Sequence, residues 1–361
     1  MEEHSASASA SSVRTACSEK QETEADLVRR QYEEAKDELE EEGVQVDRYG
    51  FYTKASHPAL TKQARETEKR RAWKWQRMAQ AREGGFGKTY SFPMSRKLVL
   101  RTLKGIPDCW RSSAWHSFLT DNKHSPSSDL ELVQMYHHLS SEPSTYDSQI
   151  DLDIPRTISQ HVLFSQRYGM GQRLLFRTLH ALSLYLGEIG YVQGMATLAA
   201  TLLCYYDEEM AFVMLVRMFE ERGLSELYAP GFEGLLAEFS ILERDMKRIR
   251  GGRCLLALNI QPLSFATRWY LTLYANAVSY ETLLQVGLRG DAIILTKIWD
   301  VFMLMGRDVL RQTALAAINA LHIQKGEDFD SAMVKVCSLL PPFRMQKPTF
   351  PFQRFQSLPF T

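Results

Sequence analysis

Apolar residues recur at helical spacing over most of this chain, and no run of sustained period-two alternation interrupts them. Leu174, Leu175, Leu179, Leu182, Leu186 and Ile189 mark one segment, and Phe212, Leu215, Val216 and Phe219 another. The pattern continues through 232–250, 265–274, 292–305, 310–323 and 330–340, with Gly223, Gly251-Gly252, Gly290 and Gly306 as punctuation. Such a chain must bury helix against helix. Its segments share no fixed repeat length, which disfavours a solenoid. The spacing therefore predicts an all-α fold, with one large helical domain over residues 96–345.

Gly105-Ile106-Pro107-Asp108-Cys109-Trp110-Arg111 opens that domain. Pro107 suits a first helical turn, and Trp110, Ala114, Trp115 and Phe118 follow it as an amphipathic start. A boundary near residue 95 follows. Residues 121–149 alternate Ser and Pro loop signals with one short helix around Leu130–Leu139, where His137-His138 reads as a surface pair.

Upstream, residues 1–20 are rich in Ser and Ala and cannot bury enough apolar surface to offset ordering, so disorder is expected there. Residues 21–95 read as a charged helical extension. It is acidic from Glu22 to Glu42, a solvated helix, and basic from Lys62 to Lys97, where the helical stretch is expected to end at Gly84-Gly85. Trp73 and Trp75 lie among those cations, and two readings apply: both pack on the main domain, the simpler one, or they touch anionic lipid. Residues 346–361 form an irregular tail.

Lys plus Arg equals Asp plus Glu at 43 each, so no overall basic excess points to nucleic acid. Five cysteines, at 17, 109, 204, 254 and 337, form no CxxC and have no paired His spacing, which argues against zinc and against a disulfide framework. Cytosolic thiols are expected. The start Met1-Glu2-Glu3-His4 lacks the basic and apolar regions of a signal peptide, and neither end carries a lipidation signal. Ile189–Tyr206 reaches the lower length limit for a membrane span, but a central helix of a helical protein accounts for it better, and no transmembrane segment is expected.

Two short stretches carry the chemistry. Arg156 follows Pro155, whose missing donor and fixed φ predict a turn or helix entrance that projects the guanidinium from a rigid element. Asp153, three residues earlier, is placed to accept a hydrogen bond from it. An exposed pair of this kind contributes only about 0 to 1 kcal/mol, so the spacing alone is a weak signal. Gln193 lies between Tyr191 and Gly194 at the junction of two apolar helices. Its amide could cap a helix end or be presented outward, and spacing does not choose between them.

Ile150-x-x-Asp153-x-x-Arg156 followed by Thr157, then Tyr191-Val192-Gln193-Gly194-Met195, then Ile298-Trp299-Asp300, with the Gly105-Ile106-Pro107 opening, resemble the TBC domain family of Rab GTPase-activating proteins over about residues 100–340. The resemblance implies that Arg156 and Gln193 act as two fingers inserted into a GTP-bound Rab-family GTPase, the glutamine replacing the GTPase's own. It also implies that Asp153 orients Arg156, that Tyr191 and Gly194 shape the glutamine loop, and that Trp299 and Asp300 brace the groove from behind. GTP and Mg²⁺ would belong to the GTPase, so the chain would be an activator with no cofactor of its own. The setting implied is vesicle traffic, in the cytoplasm and peripherally on endomembranes.

The chain departs from the family pattern at Lys297, where an arginine is usual, in an extra loop over 275–291, and in an abbreviated C-terminus. Two other classes of function remain. One is a non-catalytic scaffold with the same fold. The other is a metal-dependent transferase built on Asp151-x-Asp153, which would need β-strands that the pattern does not show.

Overall fold

The computed structural model describes residues 45–46, 50–53, 62–84, 87–121, 127–276, 294–321, 323 and 326–337. The expected disorder of 1–20, the acidic helix of 22–42, nearly all of the 275–291 loop and the 346–361 tail lie outside these residues.

The described chain is mostly helical, as the spacing predicts, with two small antiparallel pairs of strands. β1 (Gln45–Val46) pairs with β2 (Tyr52–Thr53). α1 (Lys62–Gln76) then leads into a hairpin of β3 (Gln80–Gly84) and β4 (Gly87–Ser91), with Gly84 opposite Gly87. This hairpin corrects the helical stretch expected to run to Gly84-Gly85, since the helix ends at Gln76. The glycines mark a reversal of the chain and not a helix end, and Phe92 anchors the far side by donating its N–H to Ser117 Oγ at 2.8 Å.

The helices continue as α2 (Arg96–Thr102), α3 (Asp108–Thr120), α4 (Asp129–Leu139) and α5 (Asp147–Asp153). Next come α6 (Val162–Ser165), α7 (Met170–Tyr185), α8 (Met195–Leu203) and α9 (Glu208–Glu221). They are followed by α10 (Leu224–Tyr228), α11 (Glu233–Met246), α12 (Arg250–Ala257) and α13 (Pro262–Leu271). α14 (Ile294–Met305), α15 (Asp308–Ala320) and α16 (Phe329–Cys337) complete the set. Local signals fix several ends: Ser128 and Glu131 form a reciprocal capping box at α4, and Asp207 caps α9 through the Met210 N–H.

α9 is the centre of the packing. Every residue from Ala211 to Phe219 is buried, Arg217 included, and the helix touches α3, α4, α7, α8 and α10. Its all-round apolar face is what a central helix requires. α8, from the stretch long enough to raise a membrane span, has only nine residues. Among the described residues no helix is long and apolar enough to cross a membrane. Gly251 and Gly252 lie inside α12 instead of ending a helix. A Cβ on Gly252 would stand 2.3 Å from the Met246 carbonyl oxygen, so the glycine permits a close approach.

The expected boundary near residue 95 is not a break in packing. Phe51, Trp75 and Phe92 belong to the same hydrophobic core as the helices that follow. Trp75 is buried against Phe92, and Trp110 donates its indole N–H to the Ala72 carbonyl, so α1 is fastened to the main body.

Asp300 closes the fold between its beginning and its end. This wholly buried carboxylate accepts from the Ile106 N–H at 2.7 Å, from Trp115 Nε1 at 2.9 Å and from Arg111 Nε at 3.2 Å. Burial raises its pKa above the ordinary carboxylate value, against the pull of Arg111, the Ile106 amide and the indole.

Candidate functional site

Arg156 ends a short 3-10 turn, Ile154–Arg156, that continues directly from α5. The sequence suggested a turn or a helix entrance; the structure makes it a helix exit. As the α-helix tightens at Pro155, the carbonyls of Leu152 and Asp153 lose the backbone partners that a further α-turn would supply. Side chains replace them. Arg156 Nε donates to the Leu152 carbonyl at 3.1 Å, and Thr157 Oγ1 donates to the Asp153 carbonyl at 2.8 Å. Thr157 is thus buried as a cap, and Ile150 is buried one turn back in the core.

The Asp153 carboxylate is buried and divided between two partners. Oδ1 accepts from Arg156 Nη2 at 2.6 Å, and Oδ2 accepts from the Tyr191 hydroxyl at 2.8 Å. The Arg156 side chain remains 68% exposed while its Asp153 partner is only 10% exposed. The guanidinium is therefore oriented from behind and open in front. Burial, and then the Asp153 carboxylate it faces, push the Tyr191 pKa far above the ordinary tyrosine value, so the hydroxyl stays a donor.

The second loop leaves α7 and reaches α8. Gly194 takes the N-terminal cap position of α8 with φ +109°, a left-handed conformation that favours glycine. The turn is tied by Met195 N–H to the Val192 carbonyl and Thr197 N–H to the Gly194 carbonyl. Gln193 is exposed at its apex, and its amide makes no hydrogen bond with any described residue. Of the two jobs open to it from sequence, this is the outward one.

Two further residues hold the loops together that the sequence reading did not single out. Gly190 has φ +58°, and a Cβ there would fall 2.1 Å from Tyr146 Cζ, at the start of α5. His180 on α7 bonds the same end of α5, with Nδ1 2.6 Å from Asp147 Oδ1 and Nε2 2.8 Å from the Glu142 carbonyl. The two glycines that bracket Tyr191-Val192-Gln193 were the visible signal for the first contact. Nothing local in the sequence pairs His180 with Asp147.

β2 and the two residues before it, Gly50 and Phe51, also reach this side of the molecule. Val162 N–H donates to the Gly50 carbonyl and Tyr52 N–H to the Gln160 carbonyl, while Phe51 meets the His161 ring edge-on at 4.8 Å. The segment after Arg156 is thereby pinned. Trp299 and Asp300 lie elsewhere: Trp299 packs against Trp115, and Asp300 serves the Gly105-Ile106-Pro107 opening. They hydrogen-bond to none of Asp153, Arg156, Tyr191 or Gln193. Asp151 is exposed while Asp153 is committed to Arg156 and Tyr191, and among the described residues no cluster of His, Cys, Asp and Glu has a geometry suited to a metal ion.

Comparison with known proteins agrees with this architecture. A TBC domain-containing protein of Schizosaccharomyces pombe is 42% identical over 278 residues, which is 75% of this chain and 63% of that protein. A Rab GTPase-activating protein of Caenorhabditis elegans is 33% identical over 181 residues, 50% of this chain and 19% of that protein. The chain thus spans less than two thirds of the length of these relatives. Among solved structures, the Chlamydomonas flagellar RabGAP TBC domain matches with a TM-score of 0.58 at 22% identity, over 82% of this chain and 96% of that one. The Ypt/Rab-GAP domain of Gyp1p matches with a TM-score of 0.57 at 17% identity, over 80% and 99%. At those identities the likeness speaks for the fold alone. Residues 108–325 match the Rab-GTPase-TBC domain, and by that match the chain belongs to the Rab-GTPase-TBC domain family.

Proposed function

We propose that this chain is a GTPase-activating protein that completes the active site of a GTP-bound Rab-family GTPase, with Arg156 supplying a cation and Gln193 an amide. The observation that carries the reading is the shared carboxylate of Asp153, bonded at once to Arg156 and to Tyr191 of the glutamine loop. One buried group thus fixes the exposed guanidinium and anchors the loop that carries the exposed amide. Phosphoryl transfer asks for this division of labour: charge spreads over the equatorial oxygens of the transferring group, and the attacking water must be held in line. A preorganised guanidinium meets the first need without reorganisation during the reaction, and a carboxamide the second.

Mg²⁺ and nucleotide come with the GTPase, so the chain holds no cofactor of its own in this reading. Leu152 adds support. It is 68% exposed, one turn before Arg156, where an apolar side chain suits a protein partner better than water. The chain would act in the cytoplasm and at endomembrane surfaces, where vesicle traffic is controlled.

The test is single-turnover GTP hydrolysis over a panel of purified Rab GTPases, with wild-type protein, Arg156→Ala and Gln193→Ala. Acceleration of one or a few members is expected, falling by roughly 10³ or more without the arginine. If the folded wild type accelerated none, a non-catalytic scaffold with the same fold would replace this reading.

A further inference from the structure

Charge along this balanced chain is unevenly placed. Between Lys62 and Pro107, thirteen Lys and Arg accompany three Glu. α1 sorts these residues onto two faces. The inner face carries Trp75 into the core beside Phe92, and Arg71 donates to the Lys104 carbonyl at 2.9 Å and to that of Gly105. The outer face carries Arg70, Trp73 and Lys74, and Arg77 follows just past the helix end, spaced i, i+3, i+4 and i+7 and all exposed.

Trp73 is 54% exposed, and the Arg77 guanidinium lies 4.9 Å from its ring centroid. The basic face extends onto α2. Arg101 Nη1 donates to the Lys74 carbonyl at 2.5 Å, and desolvation, followed by the nearby charge of Arg77, lowers the Arg101 pKa. Among the described residues no carboxylate lies within ion-pair distance of Arg70, Lys74, Arg77 or Arg101. Trp73 and Trp75, which the sequence left together, therefore part company: one is core and the other stands outside among cations.

We propose that the outer face of α1, Arg70, Trp73 and Lys74, continued by Arg77 just past its end and by Arg101, is a docking surface for an anionic membrane. Its composition selects that partner. Lys and Arg near a bilayer gain from the negative surface potential, and an indole is most at home at the headgroup boundary, where its ring is half wet. Because α1 is already fastened by Trp75, Arg71 and the Trp110 indole bond, the surface is preformed and loses little freedom on docking. A nucleic acid would use the same cations but would read the tryptophan by stacking a splayed base, and the test separates the two.

The experiment is flotation of the full chain with vesicles of phosphatidylcholine alone or with about one third phosphatidylserine, at low and high salt. Binding is expected to the anionic vesicles only and to fall at high salt. The Arg70→Gln, Lys74→Gln, Arg77→Gln triple variant should partition roughly a hundredfold more weakly, since each cation near the surface is worth about fivefold. Trp73→Ala should bind several-fold more weakly with an unchanged salt dependence. All four positions are exposed, and thermal melting followed by circular dichroism checks that the variants stay folded. Equal flotation with neutral vesicles would overturn the proposal, as would a triple variant that floats like wild type or a Trp73→Ala variant with no loss. Tighter binding to single-stranded oligonucleotide than to anionic vesicles would also overturn it, in favour of a nucleic-acid surface.

Discussion

Tyr191 donates its hydroxyl to Asp153 at 2.8 Å, across 38 residues of sequence, and so joins the arginine loop to the glutamine loop. Tyr191→Phe removes that bond and leaves Asp153 Oδ2 buried without a described donor. The expected cost is about 1–3 kcal/mol of stability by urea denaturation. GTPase acceleration should fall by about tenfold or more, because a loosened Asp153 no longer fixes Arg156. A Tyr191→Phe protein with wild-type acceleration would make the link purely structural.

The exposed Arg156 side chain contributes little to folding. Arg156→Ala should shift stability by no more than about 1 kcal/mol, the range of an exposed ion pair, while hydrolysis in single-turnover assays falls away. A large loss of stability in this variant would mean that the Leu152 and Asp153 contacts matter chiefly to the fold.

Gly190 and Gly187 form a matched pair for testing close approach. Both have positive φ, +58° and +57°, but a Cβ on Gly190 strikes the Tyr146 ring whereas nothing lies within 4 Å of one on Gly187. Gly187→Ala should cost about 1 kcal/mol, the backbone term alone, and Gly190→Ala roughly 2–4 kcal/mol with overpacking added. Equal denaturation midpoints for the two would remove the Tyr146 contact as a constraint.

Asp300→Ala should be among the most damaging single changes, at about 3–5 kcal/mol, because it strips a buried guanidinium of one carboxylate and leaves the Ile106 amide and the Trp115 indole short of an acceptor. Asp300→Asn, which keeps one acceptor oxygen, should fall between that variant and wild type in the same urea titration.

Asp129 gives a pH dependence whose sign is fixed. Burial would raise its pKa, but the hydrogen bond and charge of His116 together with the Arg217 guanidinium outweigh burial and hold it below 3.8. A depressed carboxylate stabilises the fold above its unfolded value and loses that contribution as pH falls through the folded one. The stability gap between wild type and Asp129→Asn should therefore be larger at about pH 5 than at about pH 3. A gap that widened toward acid would contradict this assignment.

Period and motif carried much of this protein into view. The helices over 170–185, 195–203 and 208–221 follow apolar spacing that any helical core must obey, and Arg156 stands on a 3-10 turn beside a proline and Gln193 on a loop beside a glycine. The β3–β4 hairpin was hidden because its strands alternate weakly and are held by contacts such as Phe92 with Ser117, which no local window contains. The same limit concealed Tyr146 behind Gly190 and His180 beside Asp147. Each is a pairing made by tertiary packing, not by the residue's own neighbours. The opposite fates of Trp73 and Trp75 depended on which side of α1 the rest of the chain came to cover.

The bond between Ile106 and Asp300 spans 194 residues of chain. During synthesis the opening helix must wait for nearly all of the protein before its buried arginine receives its second carboxylate. Closing so long a loop is entropically costly before its contacts repay it, and surfaces left uncovered meanwhile are where intermediates aggregate. Chains released short of α14 should therefore keep Trp115 and Arg111 uncovered and become clients of chaperones, however complete their arginine and glutamine loops.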